Sequence, residues 1–324
     1  MSVFSAAIIL VWVMVVVESF SRSSWVESQN YYASYGISNL QFELKIKNLE
    51  SLIQQGKQIN CIFIGSSLVL RGLDPEMISE EAGNISGKSV SCYNFGINGL
   101  YVSGAQQLAE YLIDAYHPDI LIYGLSPRAL SHDYTDDRKQ IFSSEWFKYA
   151  SGEWTLNGWM VHHARSVQYL QTVFMEFYTP ELEVEVERAN HNMNVWGYAP
   201  IKMGFDEDLL ERGVDNLKTY YMGDQQLVAY QNILNLDNNS TRLVLVEMPV
   251  STYYIDYLKE GKVEYREVVD QLAGIAGKSQ VIFLRTNSPT FLPDAYFRDV
   301  HHLNLQGAEM FSKWLGNLIG IIIK

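Results

Sequence analysis

The sequence has very little cysteine. Cys61 and Cys92 are the two thiols in 324 residues. A disulfide-stapled scaffold is therefore excluded, and a single bridge cannot be deduced from sequence. Both cysteines sit in apolar runs and read as buried free thiols. No Cys/His spacing matches a zinc site, so no metal or other cofactor is expected. Basic residues are also scarce: 24 Lys and Arg stand against 37 Asp and Glu, a net charge of −13. A surface of that sign does not bind phosphate backbones, which excludes nucleic acid as the main partner. It also excludes polybasic attachment to anionic lipid. There is no internal repeat and no low-complexity tract. Ordinary proportions remain, with 48% hydrophobic and 19% charged residues, enough for a sizeable globular core.

One long hydrophobic run is present. Residues 3–17 read VFSAAIILVWVMVVV without a charge, and Glu18 follows. Residues 2–20 span a bilayer if Glu18 lies at an interface, since about 17–25 apolar residues are needed. We read residues 1–20 as a single membrane anchor. The rivals are a cleaved signal, which lacks a basic n-region and a clear cleavage site, and a buried core helix. Arg22 alone gives little orientation. Residues 21–57 follow as a polar, aromatic linker and a leading helix, with Phe42, Ile46, Leu49 and Ile53 on one face.

From residue 58 to 324 the pattern becomes short apolar runs separated by helical stretches. The predicted strands are 61–65, 89–96, 119–124, 242–248 and 280–285. The predicted helices are 68–83, 101–116, 253–274 and 304–319. Continuous rather than alternating apolar strands indicate a mostly parallel sheet covered on both faces. The fold class is therefore α/β, a doubly wound five-stranded sheet. Residues 130–236 interrupt the alternation. They lean helical and carry Trp146, Trp154, Trp159 and Trp196, which suits a helical insertion with an aromatic core.

Ligands of open α/β sheets collect beyond the carboxyl ends of the strands. The residues there are Gly65-Ser66-Ser67, Asn94-Phe95-Gly96-Ile97-Asn98-Gly99, Gly124-Leu125-Ser126-Pro127-Arg128 and Asp299-Val300-His301-His302-Leu303-Asn304. A serine at a strand-to-helix turn is exposed, and a helix N-terminus favours negative charge nearby. Glycines let backbone N–H groups approach an oxyanion. An Asp three residues before a His can hold Nδ1 and leave Nε2 as a base.

The order and content of these blocks resemble the SGNH/GDSL hydrolase superfamily. The resemblance covers residues 61–319 apart from 130–236. It implies Ser67, rather than Ser66, as nucleophile, with Asp299 and His302 completing a triad and His301 a bystander. It implies an oxyanion N–H from Gly99, with Gly96 as the fallback. The third block is usually G-x-N-D; here GLSP puts Ser126 where an oxyanion Asn is usual. Arg71, Asn94 and Arg128 are the candidate substrate-binding residues, the two arginines being suited to an anionic substrate. Together with the N-terminal run, the GSS block is similar to membrane-anchored members acting on cell-surface polysaccharide acylation. That implies O-acyl transfer or deacylation of an extracytoplasmic glycan, with partner membrane proteins of a polysaccharide pathway. A small ester is the simpler substrate. The alternatives are a non-catalytic glycan-binding or assembly protein on this scaffold, and a soluble carboxylesterase. Among weaker signals, His162-His163 on a helix do not share a face and read as exposed histidines rather than metal ligands. Asn84, Asn238 and Asn239 match the N-glycosylation pattern.

Overall fold

A computed structural model describes residues 3–29, 32–130, 138–178, 181–206, 223–238 and 240–324. Asn239 and residues 131–137, 179–180 and 207–222 of the expected insertion lie outside these. The chain divides into two compact units. One comprises residues 1–44 and 140–190, the other residues 45–139 and 191–324.

The second unit holds a five-stranded, all-parallel sheet: β1 (Cys61–Gly65), β2 (Cys92–Gly96), β3 (Ile120–Leu125), β4 (Arg242–Glu247) and β5 (Ile282–Leu284). The spatial order is β2-β1-β3-β4-β5. Strand order therefore reverses between β1 and β3, the switch point at which such sheets bind ligands. Strands β1, β2 and β3 are buried along their whole length, as both-face coverage requires. On one face, Phe63, Ile122, Val244 and Val246 share a core with Val69, Ile78, Phe311, Leu315 and Ile319. Cys61 and Cys92 face each other in register as free, buried thiols.

Helix boundaries follow local chemistry. The predicted 68–83 helix is two: α3 (Ser67–Gly72) and α4 (Pro75–Ser86). Asp74 accepts from the N–H groups of Glu76 and Met77, and Pro75 takes the first helical position, so a new helix starts there. The predicted 101–116 helix is α5 (Val102–Tyr116). The predicted 253–274 helix is also broken, leaving a short helix, α8 (Thr252–Asp256), before α9 (Lys262–Lys278). The last helix, α10 (Leu305–Ile323), packs closely on α4. A Cβ at Gly316 would come within 2.7 Å of Glu81 Cβ, and one at Gly320 within 2.6 Å of Ile85 Cβ.

The expected insertion divides between the units. Residues 194–199 cover the outer edge of β2: Asn94 N–H donates to Trp196 O at 2.9 Å, and Ala199 N–H to Leu70 O at 3.1 Å. This protects an otherwise unpaired sheet edge. Lys45, on α2 (Leu40–Gln54), is fully buried there and donates to the carbonyls of Asn94 and Gly197. Burial pushes its pKa well down.

The first unit contains α1 (Val3–Ser21), α6 (Leu156–His163) and α7 (Arg165–Tyr178). Among the described residues α1 is the one helix long and apolar enough to cross a membrane. Its side chains from Ile8 to Val17 are exposed, which excludes the core-helix reading. Glu18 caps α7, accepting from the N–H groups of Arg165 and Ser166 at 2.8 and 3.0 Å. Trp146 is buried and stacks on Tyr35 and His162. Trp154 and Trp159 are instead exposed, so in this unit the buried aromatics of the expected insertion include Trp146 and Phe147 but not these two. His163 is exposed as expected, but His162 is half-buried against Trp146.

Candidate active site

The site sits at the carboxyl ends of the strands in the second unit. Gly65 pairs with Gly96 on one side and Gly124 on the other, so three glycines form one row, at the last residue of β1 and β2 and the penultimate residue of β3. A Cβ at Gly65 would meet Gly124 O and Val69 Cγ2, both at 2.5 Å. Gly96 faces Leu70 N, and Gly124 faces Val69 Cγ2. The row lets α3 rest against the sheet end with no side chain between. Gly65 also has φ +147, which L side chains rarely adopt.

This turn separates the roles of the two adjacent serines. Ser66 is the helix cap, its Oγ accepting from Leu68 N–H. Ser67 is the first helical residue, and its N–H has no acceptor within the helix. Its hydroxyl points away from the cap, to His302.

The Asp299–His302 loop is pinned from both sides. Arg298 N–H donates to His302 O at 2.7 Å, and Asn304 N–H to Tyr296 O at 3.0 Å. Asn304 caps α10 through its Oδ1 while its amide donates to Ala295 O. Within the loop, Asp299 Oδ1 accepts the N–H groups of His301 and His302 at 3.0 and 2.8 Å. Its Oδ2 lies 2.7 Å from His302 Nδ1, and His302 Nε2 lies 2.8 Å from Ser67 Oγ. With the Nδ1 proton facing the carboxylate, Nε2 is left as the acceptor for the serine proton. Burial alone would raise the Asp299 carboxyl. The His302 hydrogen bond, helped by the backbone N–H of His301, outweighs it and holds the group well below the usual carboxylate range. His301 packs against His302 with ring centroids 4.2 Å apart and the rings tilted by 46°. Its pKa is pulled down to about 3, first by burial and then by the His302 charge, so it stays neutral. Asp299, His301 and His302 also form a group of metal-type ligands. Both nitrogens of His302 are already committed, to Asp299 and Ser67.

The second-block loop turns at Gly99, with φ +67. Among the described residues the Gly99 N–H reaches no acceptor. Gly96, the fallback, donates its N–H inward to Asn94 Oδ1. Arg138 Nε donates to Asn98 O at 2.6 Å and fixes this loop. Ser126 is nearly buried, and its hydroxyl has no hydrogen bond among the described residues.

The remaining sequence candidates separate. Asn94 is fully buried and not available to a substrate. Its amide donates to Val69 O and Leu73 O, which satisfies the last carbonyls of α3. Asn94 is a positioning residue for the serine helix. Arg71 and Arg128 are half-buried beside the site, and their charges act on Asp299 and His301 respectively. Glu247, at the end of β4, is buried and accepts from Tyr265 OH and Thr286 N–H, tying β4 to the loop after β5.

Sequence reasoning missed Arg138 and the Ser66 cap. A serine pair opening a helix signals capping, whereas nothing in the sequence links Arg138 to Asn98. A groove of about 700 Å³ bordered by Asn60, His117 and Asp119 lies at the amino ends of the strands, opposite the serine.

No family model matches the chain, and no curated protein matches it. Several solved structures are similar. One, from Streptococcus pneumonia and described as a platelet activating factor, is 14% identical over 86% of this chain and 92% of its own, with a TM-score of 0.41. Another, described as a GDSL-like lipase from Parabacteroides merdae, is 14% identical over 81% and 97%, with a TM-score of 0.38. A carbohydrate acetylesterase family member from Sinorhizobium meliloti is 10% identical over 82% and 99%, with a TM-score of 0.37.

Proposed function

We propose that this chain carries out serine-dependent acyl-ester chemistry of the SGNH/GDSL type, O-acyl transfer or O-deacylation, on an extracytoplasmic glycan. The observation that carries the reading is the linear relay from Ser67 Oγ through His302 to Asp299, with contacts of 2.8 and 2.7 Å. A bystander serine at a helix start does not need a histidine whose other nitrogen is held by a committed carboxylate.

In this scheme Ser67 Oγ attacks the ester carbonyl and its proton passes to His302 Nε2. Asp299 stabilises the resulting imidazolium without taking the proton. Negative charge develops on the carbonyl oxygen. Three donors without acceptors among the described residues are assigned to it: the N–H groups of Ser67 and Gly99 and the Ser126 hydroxyl. His302 then returns its proton to the departing alkoxide. Water or a sugar hydroxyl, deprotonated by the same imidazole, resolves the acyl-enzyme. Hydrolysis and transfer use the same residues and differ in the accepting hydroxyl. The uncommitted Ser126 hydroxyl favours the catalytic reading over a glycan-binding scaffold, because it offers a donor where an Asn is usual.

The membrane placement is supported by α1, whose 18-residue apolar window has a mean hydropathy of 2.1 and is almost entirely exposed. An anchor of this kind suits a polymer substrate at the cell surface.

Fluorophosphonate labelling and acetate release from an acetylated oligosaccharide test the chemistry. The intact protein is expected to label and to release acetate, and Ser67→Ala to do neither. Undiminished labelling of Ser67→Ala would sink the assignment.

A further inference from the structure

Arg71 carries a charge that no carboxylate among the described residues meets in an ion pair. It lies on α3 four residues after Ser67, so both side chains emerge on one helix face. The backbone on either side of it is fixed. Leu70 O accepts Ala199 N–H, and Gly72 packs under Met248 and Leu303. The Arg71 side chain is half-buried, yet among the described residues its guanidinium has no hydrogen bond and no ion pair. Carboxylates are in surplus in this chain, 37 acidic against 24 basic residues. The carboxylate whose charge reaches Arg71 is Asp299. That group is taken: Oδ1 accepts two backbone N–H groups, and Oδ2 faces His302 Nδ1. A partly desolvated guanidinium is costly to leave alone and stays charged at any physiological pH. Its five donors in a planar fork match a carboxylate or phosphate.

The position also selects a half of the substrate. In the proposed scheme the carbonyl oxygen turns to Gly99 and Ser126, while the leaving alcohol must lie against His302 to receive its proton. Arg71 is assigned to the alcohol side because the Asp299 charge acts on it.

We propose that Arg71 determines specificity by binding an anionic oxygen group, carboxylate or phosphate, on the alcohol half of the ester. The preferred substrate is then an O-acylated acidic polymer rather than a neutral one. This rests on Ser67 being the nucleophile.

The test compares kcat/KM on four acyl esters: an acetylated oligouronate, its carboxyl-methylated form, an acetylated glycerol phosphate, and a succinyl ester of a neutral sugar. The intact protein is expected to favour one of the two esters with an acidic alcohol over the methylated one by about 10–100-fold, the size of a hydrogen-bonded charge contact. Which acidic ester is favoured distinguishes carboxylate from phosphate. Arg71→Gln is expected to collapse that ratio towards one, mainly through KM, and Arg71→Lys to restore part of it. A preference that Arg71→Gln leaves intact, no preference in the intact protein, or a preference for the succinyl ester would each overturn the proposal. Calorimetry separates this from the nucleophile assignment. Unacetylated oligouronate and glycerol phosphate are titrated into Ser67→Ala with and without Arg71→Gln. Arg71-dependent binding in a protein that never labels at Ser67 leaves the anion site standing and removes the serine reading. Labelling at Ser67 without Arg71-dependent binding removes the anion site alone.

Discussion

Ser126 shows how one residue decides what an active site can do. Pro127 follows it and has no N–H, so the side-chain hydroxyl is the donor this position offers to a developing oxyanion. A hydroxyl is shorter than an amide, and among the described residues no other hydrogen bond constrains its rotation. Under the proposed mechanism Ser126→Ala is expected to lower kcat about 100- to 1000-fold, the cost of one oxyanion donor, with KM little changed. A steady-state comparison on one acetyl ester decides it, and an unaltered kcat would remove Ser126 from the mechanism. The neighbouring contrast is Asn94. A polar residue in a glycine-rich loop reads as available for substrate, yet this one is spent on Val69 O and Leu73 O. Sequence conveys that an amide is present. Whether carbonyls are waiting for it depends on where a helix 21 residues earlier in the chain stops, and that is not legible locally.

At the level of elements, the strands were legible because burial on both faces writes a simple signal. CIFIG and DILIYG leave few alternatives to central parallel strands, and β1 and β3 lie within a residue of them. Boundaries were less legible where capping competes with apolar periodicity. Asp74-Pro75 starts a new helix inside a run that looks continuous, and Gly261, with φ +58, does the same before α9. The segment covering β2 carries no strand pattern, because it pairs through isolated contacts such as Asn94 N–H to Trp196 O. The grouping of residues 140–190 with the first 44 was not legible either. It depends on contacts such as Glu18 capping α7, across more than a hundred residues of chain. The fit of α3 on the strand ends is close enough that added volume has nowhere to go. Gly124→Ala would place a Cβ against Val69 Cγ2 and 2.8 Å from Met248 Sδ. We expect it to destabilise the second unit by about 1–3 kcal/mol, as overpacking does, measured by urea unfolding. A midpoint equal to that of the parent would show that α3 can lift away from the sheet.

For the whole molecule, the question is whether α1 meets a membrane. The apolar length of α1 suffices for one crossing, and Glu18 at its end is held by Arg165 and Ser166. Phase separation in a non-ionic detergent is expected to carry the full chain into the detergent phase, and Glu18→Ala to follow it there. The same variant is expected to lose about 1 kcal/mol of stability, the size of an N-cap contribution. Recovery of the full chain in the aqueous phase would argue for a soluble enzyme. The row formed by Gly65, Gly96 and Gly124 bears on the molecule's history as well as its packing. These residues are far apart in the chain but adjacent in space, and each has a neighbour where a methyl group would go. Every other amino acid adds at least that carbon, so the three positions have no permissive first step. In a saturation library they would stand out as three intolerant sites far apart in sequence, and plotted on the fold they would form a row whose middle member leads into Ser67.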